Sequence, residues 1–198
     1  GLTTLGSASQ YGLSLVLGGG EVTLLDLTNV YATFANEGVH NPTTPILSVT
    51  DVDGTLLEKF KLDQSEALPK TITDELTDVL TDNNARVPEF GFNNKLYFGD
   101  RPVAAKTGTT NDYKDVWTVG YTPSIAIGMW GGNNDNTPID KKIAGMVIAP
   151  IWNEVMHAAL DGTPIEYFDS YAPNTDAPAF IRGVYCDASS PAHTILYD

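Results

Sequence analysis

The chain has 198 residues, of which 42% are hydrophobic, and its 25 acidic and 11 basic side chains give a formal net charge of −14. This length predicts one sizeable hydrophobic core or one domain with a tail. The acidity argues against nucleic acids and anionic membrane surfaces as partners, because both require a basic face. The single cysteine, Cys186, excludes an internal disulfide, and the three histidines lack metal-ligand spacing, so we expect no cofactor and no metal.

Two helices are predicted in the first half of the chain. Apolar residues recur at helical spacing over Glu21–Glu37, and Gly38 stands where a left-handed residue would cap that helix. A second apolar stripe predicts a helix from about Ile72 to Asp82, preceded by a capping pattern at Thr71–Asp74. Residues 83–101 contain several Asn and Gly and are predicted to be irregular.

A hairpin is predicted between these helices. The Asp53-Gly54 pair is a strong signal for a two-residue turn, and it is flanked by strand-like residues at Ile46–Val52 and Thr55–Leu62.

Three further strands are predicted by alternating apolar residues. They are Val103–Thr110, Asp115–Tyr121 and Ile125–Gly131. The short connection Thr122-Pro123-Ser124 predicts that the second and third of these strands pair antiparallel.

The end of the chain combines a helix with a segment of different composition. An apolar stripe predicts a helix that begins near Pro150 or is kinked there, and that ends at about Gly162. Residues 163–198 are rich in Pro, Ala, Asp and Ser, with one strand-like piece at Phe180–Tyr185, and we expect a tail or linker.

The run Lys106-Thr107-Gly108-Thr109 carries the functional signal. Side chains alternate along a strand, so Lys106 and Gly108 should face one side and the two threonines the other. Two hydroxyls with an ammonium nearby suit a carboxylate, and glycine lets a ligand approach the backbone. Exposed strand N–H groups can also stabilise an oxyanion in acyl transfer. A strand that merely ends in a turn can carry the same residues.

The flanks of this run resemble a known family, the transpeptidase domain of class A, bifunctional penicillin-binding proteins, from about Tyr11 to Leu160. The matching segments are Tyr11–Gly38, Asp82–Arg86 with Phe90-Gly91, Ala105–Asp112, Asp115–Pro123, Trp130–Asp135 and Ala149–Trp152. The resemblance implies an α+β fold: part of the penicillin-recognising serine transpeptidase fold, with an antiparallel sheet flanked by helices. Residues 1–162 would form the C-terminal part of that domain, with its N-terminal half missing.

The resemblance also implies roles for individual residues. Lys106, Thr107 and Thr109 would hold the carboxylate of a stem peptide or a β-lactam, and the backbone N–H of Thr109 would be an oxyanion donor. Gly108 would allow close approach. Thr110 completes the substrate-binding set; together with Asn111, Asp115 and Trp117, it is expected mainly to shape the strand and its turn.

The family's other two motifs are absent from this sequence. No serine is followed by lysine at the third position, and there is no Ser-x-Asn. The nucleophile and general base are therefore expected upstream of Gly1, in the N-terminal half of the same domain. Since residue 1 is not Met, we expect a trimmed, processed or partial chain. Without its nucleophile, the chain alone should lack activity, and an uncovered sheet edge should make it associate with that half or with itself.

The parent protein is expected to be a D,D-transpeptidase that cross-links peptidoglycan stem peptides and binds β-lactams. The family implies an extracytoplasmic location, at the cell surface or in the periplasm, with a membrane anchor N-terminal to this chain. Two alternatives remain open. One is a non-catalytic remnant that binds carboxylates or β-lactams, and the other is a D,D-carboxypeptidase or β-lactamase-like hydrolase.

Overall fold

The computed structural model describes residues 1–139 and 143–171. The α-helices are α1, Ala8–Tyr11; α2, Leu24–Ala35; α3, Lys70–Thr81; α4, Asn83–Phe90; α5, Ala144–Val147; and α6, Ala149–Leu160. The strands are β1, Val39–His40; β2, Ser48–Thr50; β3, Leu56–Lys59; β4, Ser65–Glu66; β5, Ala104–Thr109; β6, Asp115–Tyr121; and β7, Ala126–Gly132. Short 3₁₀ segments span Gly12–Leu17 and Asn111–Tyr113.

A three-stranded antiparallel sheet lies at the centre, with the order β5-β6-β7. Helices α2 and α3 pack on one face, and α5 and α6 pack on the other. The strands β1 and β4, and likewise β2 and β3, form separate two-stranded antiparallel pairs. The result is the α+β arrangement that the sequence predicts, an antiparallel sheet flanked by helices.

The main core lies between this sheet and α6. Its largest side chain is Trp152, which is fully buried, donates its indole N–H to the carbonyl of Ile127 at 2.9 Å, and meets Phe98 edge-on. The buried residues of this cluster are Leu96, Val103, Ala105, Ala149, Trp152, Met156 and Leu160.

On the opposite face of the sheet, Tyr121 packs against α2 and α3. Its ring contacts Tyr31, Phe34 and Phe168, and its hydroxyl shares a 2.8 Å hydrogen bond with Thr77. Burial raises the pKa of Tyr121 to about 12, from its ordinary value of 10.0. The phenol is therefore held in its neutral form well into the alkaline range.

This burial makes stability depend on alkaline pH. The unfolded phenol ionises near pH 10 but the folded phenol only near pH 12, so the unfolded state loses its proton first and the free energy of unfolding falls between these values. We expect Tyr121 to account for a loss of about 2–3 kcal/mol across that window. Urea unfolding at several pH values should show a flatter alkaline profile for Tyr121→Phe than for the wild type. If the stability of the two proteins fell equally with rising pH, the loss could not be assigned to Tyr121. The pKa of Tyr31 is also raised by burial, and this residue remains in both proteins.

The first two predicted helices are confirmed with different ends. Helix α2 begins later than expected because the Thr23 hydroxyl caps it, accepting from the Asp26 N–H at 3.0 Å. Gly38 follows this helix with φ 88°, as its predicted capping position requires. The capping pattern predicted at Thr71–Asp74 is wrong. Helix α3 starts at Lys70, directly after Pro69 and without a side-chain cap.

The prediction that residues 83–101 are irregular is wrong for α4. This helix begins where the Asp82 carboxylate accepts from the Ala85 N–H at 3.1 Å, and it ends at Phe90, followed by Gly91 with φ 74°. Helix propensity alone does not predict α4, because the helix starts with two asparagines and contains Pro88. The Asp82 side chain that caps its N-terminus does favour a helix.

The predicted hairpin is confirmed with shorter strands, β2 and β3. The Asp51 carboxylate accepts from the N–H groups of Asp53 and Thr55, and Gly54 has φ 82°. These bonds and the glycine define the turn that the Asp-Gly pair predicts.

The three later strands are confirmed to within one residue at each end. The Thr122 N–H donates to the Ile125 carbonyl at 2.8 Å, which closes the predicted tight turn. Helix α6 begins at Ala149, so Pro150 lies in its first turn rather than at a kink. The predicted strand at Phe180–Tyr185 lies outside the described residues.

The segment after α6 is described as far as residue 171 and contains no helix or strand in that part. It contacts the rest of the domain through several side chains, including Phe168 against Tyr121. The Arg101 guanidinium donates to the carbonyl oxygens of Thr163 and Pro164, and Lys70 pairs with Asp169 at 3.0 Å. The domain boundary at residue 162 remains a prediction.

Candidate functional site

Strand β5, which carries the Lys-Thr-Gly-Thr run, lies at the edge of the central sheet and, among the described residues, pairs only with β6. Just beyond the strand, the Thr110 N–H donates to the Asp115 carbonyl at 3.0 Å. Because hydrogen-bonded and non-hydrogen-bonded pairs alternate along an antiparallel ladder, this bond fixes which residues face β6. The backbone groups of Thr107 and Thr109 therefore point away from β6, toward the open edge.

A second bond supports this parity. The Lys106 ammonium donates to the Thr107 carbonyl at 2.8 Å, which an outward-facing carbonyl allows. The open edge of β5 thus presents the Thr107 carbonyl as an acceptor and the Thr109 N–H as a donor.

Lys106 is an exposed cation at this edge. The ion pairs within residues 1–139 and 143–171 all belong to Lys70, so no described carboxylate neutralises Lys106 at salt-bridge distance. An ammonium group has three donors, and the Thr107 carbonyl uses one of them. Two donors remain for an anionic ligand.

The side chains of β5 divide between the two faces of the sheet as the alternation predicts. On the α5 side, the Thr109 hydroxyl accepts from the Ala144 N–H at 3.0 Å, and its own proton has no acceptor among the described residues. On the other side lies Gly108, where an added Cβ would make only ordinary contact with the Cβ of Trp117, at 3.5 Å. Packing within the described chain does not require glycine at position 108.

Thr110 has a different environment from the rest of the predicted substrate-binding set. Its hydroxyl accepts from the Asp115 N–H at 2.8 Å and donates to the Asp115 carboxylate at 3.0 Å. The same carboxylate accepts the Trp130 indole N–H at 3.0 Å. These bonds close the turn between β5 and β6 and occupy the Thr110 hydroxyl.

The accessible part of β5 begins at Lys106. The preceding residues, Ala104 and Ala105, are buried, whereas Lys106 and Thr109 are exposed. Arg86 of α4 donates to the carbonyl oxygens of Leu80 and Leu96 and so ties the end of α3 to the loop that leads into β5. The candidate site is therefore confined to the second half of the strand.

One residue beside the site was missed by sequence reasoning. Thr118 of β6 is directly opposite Thr107 in the register and is fully buried. Its hydroxyl has no hydrogen-bond partner among the described residues. Only the strand register reveals this neighbour, since threonine in a strand is otherwise ordinary.

No described helix is both long and apolar enough to cross a lipid bilayer. Groups of histidine, cysteine and carboxylate residues that could hold a metal ion are also absent from the described ranges.

Comparison with known proteins identifies close sequence relatives. The chain is 38% identical over 161 residues to penicillin-binding protein 1A of Aquifex aeolicus, covering 79% of this chain and 21% of that protein. It is 31% identical over 205 residues to penicillin-binding protein 1A of Mycolicibacterium smegmatis, covering 92% of this chain and 25% of that protein. The chain thus spans about a fifth to a quarter of the length of these relatives.

Solved structures agree with the sequence comparison. The PonA1 protein of Mycobacterium tuberculosis in complex with penicillin V superposes with a TM-score of 0.69 at 29% identity, covering 79% of this chain and 43% of that one. Penicillin-binding protein 1A of Haemophilus influenzae, at 19% identity, shares the fold with a TM-score of 0.68, over 83% of this chain and 30% of that one. These likenesses confirm the predicted fold class.

The family model described as the penicillin binding protein transpeptidase domain matches residues 5–157. That match includes α2, α3, α5, most of α6 and the whole central sheet, β5 included. The chain belongs to the family of penicillin-binding protein transpeptidase domains.

Proposed function

We propose that this chain supplies the substrate-binding edge strand of a serine D,D-transpeptidase that cross-links peptidoglycan stem peptides through an acyl-enzyme. The observation that carries the proposal is the open edge of β5, which carries both the outward N–H of Thr109 and the exposed cation Lys106. A peptide laid along this edge would find both a backbone donor for its reacting carbonyl and a cation for its terminal carboxylate.

The chemistry assigns a distinct task to each group. A serine hydroxyl attacks the carbonyl before the terminal D-residue and passes its proton to a base. The carbonyl oxygen becomes an oxyanion, and the Thr109 N–H donates to it. The C–N bond then breaks, and the terminal residue leaves as an amine that takes up a proton. An acceptor amine completes the cross-link by displacing the serine from the acyl group.

Substrate carboxylate binding is the task of Lys106 and the two threonines. Hydrogen bonds to a charged carboxylate are stronger than neutral ones, and the Lys106 ammonium and the Thr109 hydroxyl each keep a proton to donate. Because no described carboxylate lies at salt-bridge distance from Lys106, its charge is available to an anionic ligand. Gly108 would keep the strand free of side-chain bulk on its other face.

We place the serine nucleophile, the base and the second oxyanion donor outside residues 1–198. The sequence has no serine with lysine at the third following position, and the chain spans only about a fifth to a quarter of its relatives. The extracytoplasmic location, the membrane anchor and the N-terminal half of the domain as a binding partner belong to the same proposal.

Labelling with a fluorescent penicillin tests the proposal. We expect the longest natural chain that contains these residues to be acylated at a serine outside residues 1–198, and the isolated 198-residue chain to remain unlabelled. Mass spectrometry of the labelled peptide identifies the serine. A label on a serine within residues 1–198 would contradict the assignment, and an unlabelled longer chain would favour a non-catalytic binding module.

The product of the reaction distinguishes the transpeptidase from the hydrolase alternatives. With a stem-peptide donor and an excess of acceptor amine, the longer chain should form the cross-linked product. Release of the trimmed peptide alone would indicate a D,D-carboxypeptidase instead.

A further inference from the structure

The side-chain hydroxyl of Thr118 is buried without a hydrogen-bond partner among the described residues. The residue is fully inaccessible at the centre of β6. A buried hydroxyl without a partner destabilises a protein relative to valine, which has nearly the same shape.

The register places Thr118 beside the candidate site. Its partner on β5 is Thr107, and the two form a non-hydrogen-bonded pair, because the hydrogen-bonded pairs of this ladder include Thr110 with Asp115. In such pairs the Cα atoms are only about 4.5 Å apart and the side chains lie close together on one face. Thr107 is half-buried and belongs to the edge strand β5, so the residue lies between the buried Thr118 of β6 and the open edge.

The hydrogen-bonding capacities of the two hydroxyls fit each other. A threonine hydroxyl has one proton to donate and two lone pairs that accept. In the structure the Thr118 hydroxyl is not hydrogen-bonded to the Thr107 oxygen. When Thr107 donates its proton to a carboxylate, a change of side-chain rotamer in this pair would let the Thr107 lone pairs accept from Thr118. Such a chain strengthens each bond, since every donor polarises the next.

We propose that Thr118 is a positioning residue for carboxylate recognition: when the carboxylate of a ligand binds, the Thr118 hydroxyl turns to donate to the Thr107 oxygen and thereby directs the Thr107 proton toward that carboxylate. This inference rests on the proposed function, in which Thr107 contacts that carboxylate. Thr118 itself does not touch the ligand.

A matched control exists on the same strand. Thr122 directly follows β6, is 1% exposed, and also has a hydroxyl without a partner among the described residues. It lies four residues beyond Thr118, about 13 Å along an extended chain and away from Lys106–Thr110. Thr118→Val and Thr122→Val therefore remove the same group from equally buried positions, only one of which adjoins the site.

The test compares acylation by penicillin V with acylation by its methyl ester, which lacks the free carboxylate. We measure both second-order rate constants for the longest natural chain that contains these residues. The ratio of the two constants should fall about fivefold to tenfold in Thr118→Val, because one hydrogen bond that supports the carboxylate contact is lost. In Thr122→Val the ratio should stay within about twofold of the wild type. Thr118→Ser keeps the hydroxyl and should restore most of the ratio.

Thermal unfolding separates this effect from a loss of structure, since both valine variants should melt no lower than the wild type. An unchanged ratio in Thr118→Val, or an equal fall in Thr122→Val, would overturn the inference while leaving the proposed function intact. If the wild-type protein is not acylated at all, the proposed function fails first, and the inference fails with it.

Discussion

Replacing Thr109 with proline is expected to slow β-lactam acylation of the protein that contains this chain by about 10²–10³-fold, the usual effect of losing one oxyanion donor. The ladder parity explains why this substitution is selective. The Thr109 N–H points to the open edge of β5 and not to β6, so its loss removes no bond of the sheet. Proline is tolerated at such edge positions, and Gly108 before it is already extended. Stopped-flow measurement of acylation by a chromogenic cephalosporin would give the rate constant.

Thr109→Val is the control for the lost side chain. Valine keeps the N–H but, like proline, removes the hydroxyl that accepts from Ala144. We expect Thr109→Val to weaken binding of the carboxylate while leaving the oxyanion contribution in place, so its rate should exceed that of Thr109→Pro by at least about tenfold. Equal rates for the two variants would show that the side chain, and not the backbone donor, carries the effect.

The local parts of the site were predictable because each depends on a short-range rule. Alternation along β5 places Lys106 and Gly108 on one face of the sheet and the threonines on the other, and the short turn at Thr122-Pro123-Ser124 predicts the antiparallel pair β6–β7. The alternation repeats every two residues, and the turn is formed by residues close together in the sequence. They need no knowledge of what packs against them.

Features that depend on register or on tertiary contacts were not predictable from one sequence. The N–H groups of β5 that face the open edge are set by the hydrogen-bond pattern of the β5–β6 ladder. The bond from Thr110 to Asp115 reveals that pattern. The pairing of Thr107 with Thr118 depends on the same register.

Helix α4 was missed for a related reason. Its asparagines and proline are poor helix formers, and the Asp82 cap and the bonds of Arg86 to Leu80 and Leu96 stabilise it in place. Tertiary contacts here override a propensity that would otherwise predict a loop.

Trp152→Ala is expected to have the largest effect on stability, a loss of about 3–5 kcal/mol in the free energy of unfolding. The indole is fully buried between α6 and the sheet, where it packs edge-on against Phe98 and donates to the Ile127 carbonyl. Gly120 makes room for it, since a Cβ at that position would lie 2.6 Å from a ring carbon of Trp152. Alanine would leave a cavity that this rigid sheet cannot close.

Trp130→Ala provides the comparison, because it removes the same side chain and also one indole hydrogen bond, to Asp115. Trp130 is 40% exposed, so less contact is lost than at Trp152, and the cost should be smaller, about 2 kcal/mol. Urea unfolding of both variants measures the difference. A typical domain is stable by only about 5–15 kcal/mol, so the Trp152 variant should unfold at a much lower urea concentration. Ala105 of β5 packs in the same cluster, so β5 should also lose its fixed position in this variant. Similar losses in the two variants would mean that the sheet and α6 are not held together by this indole.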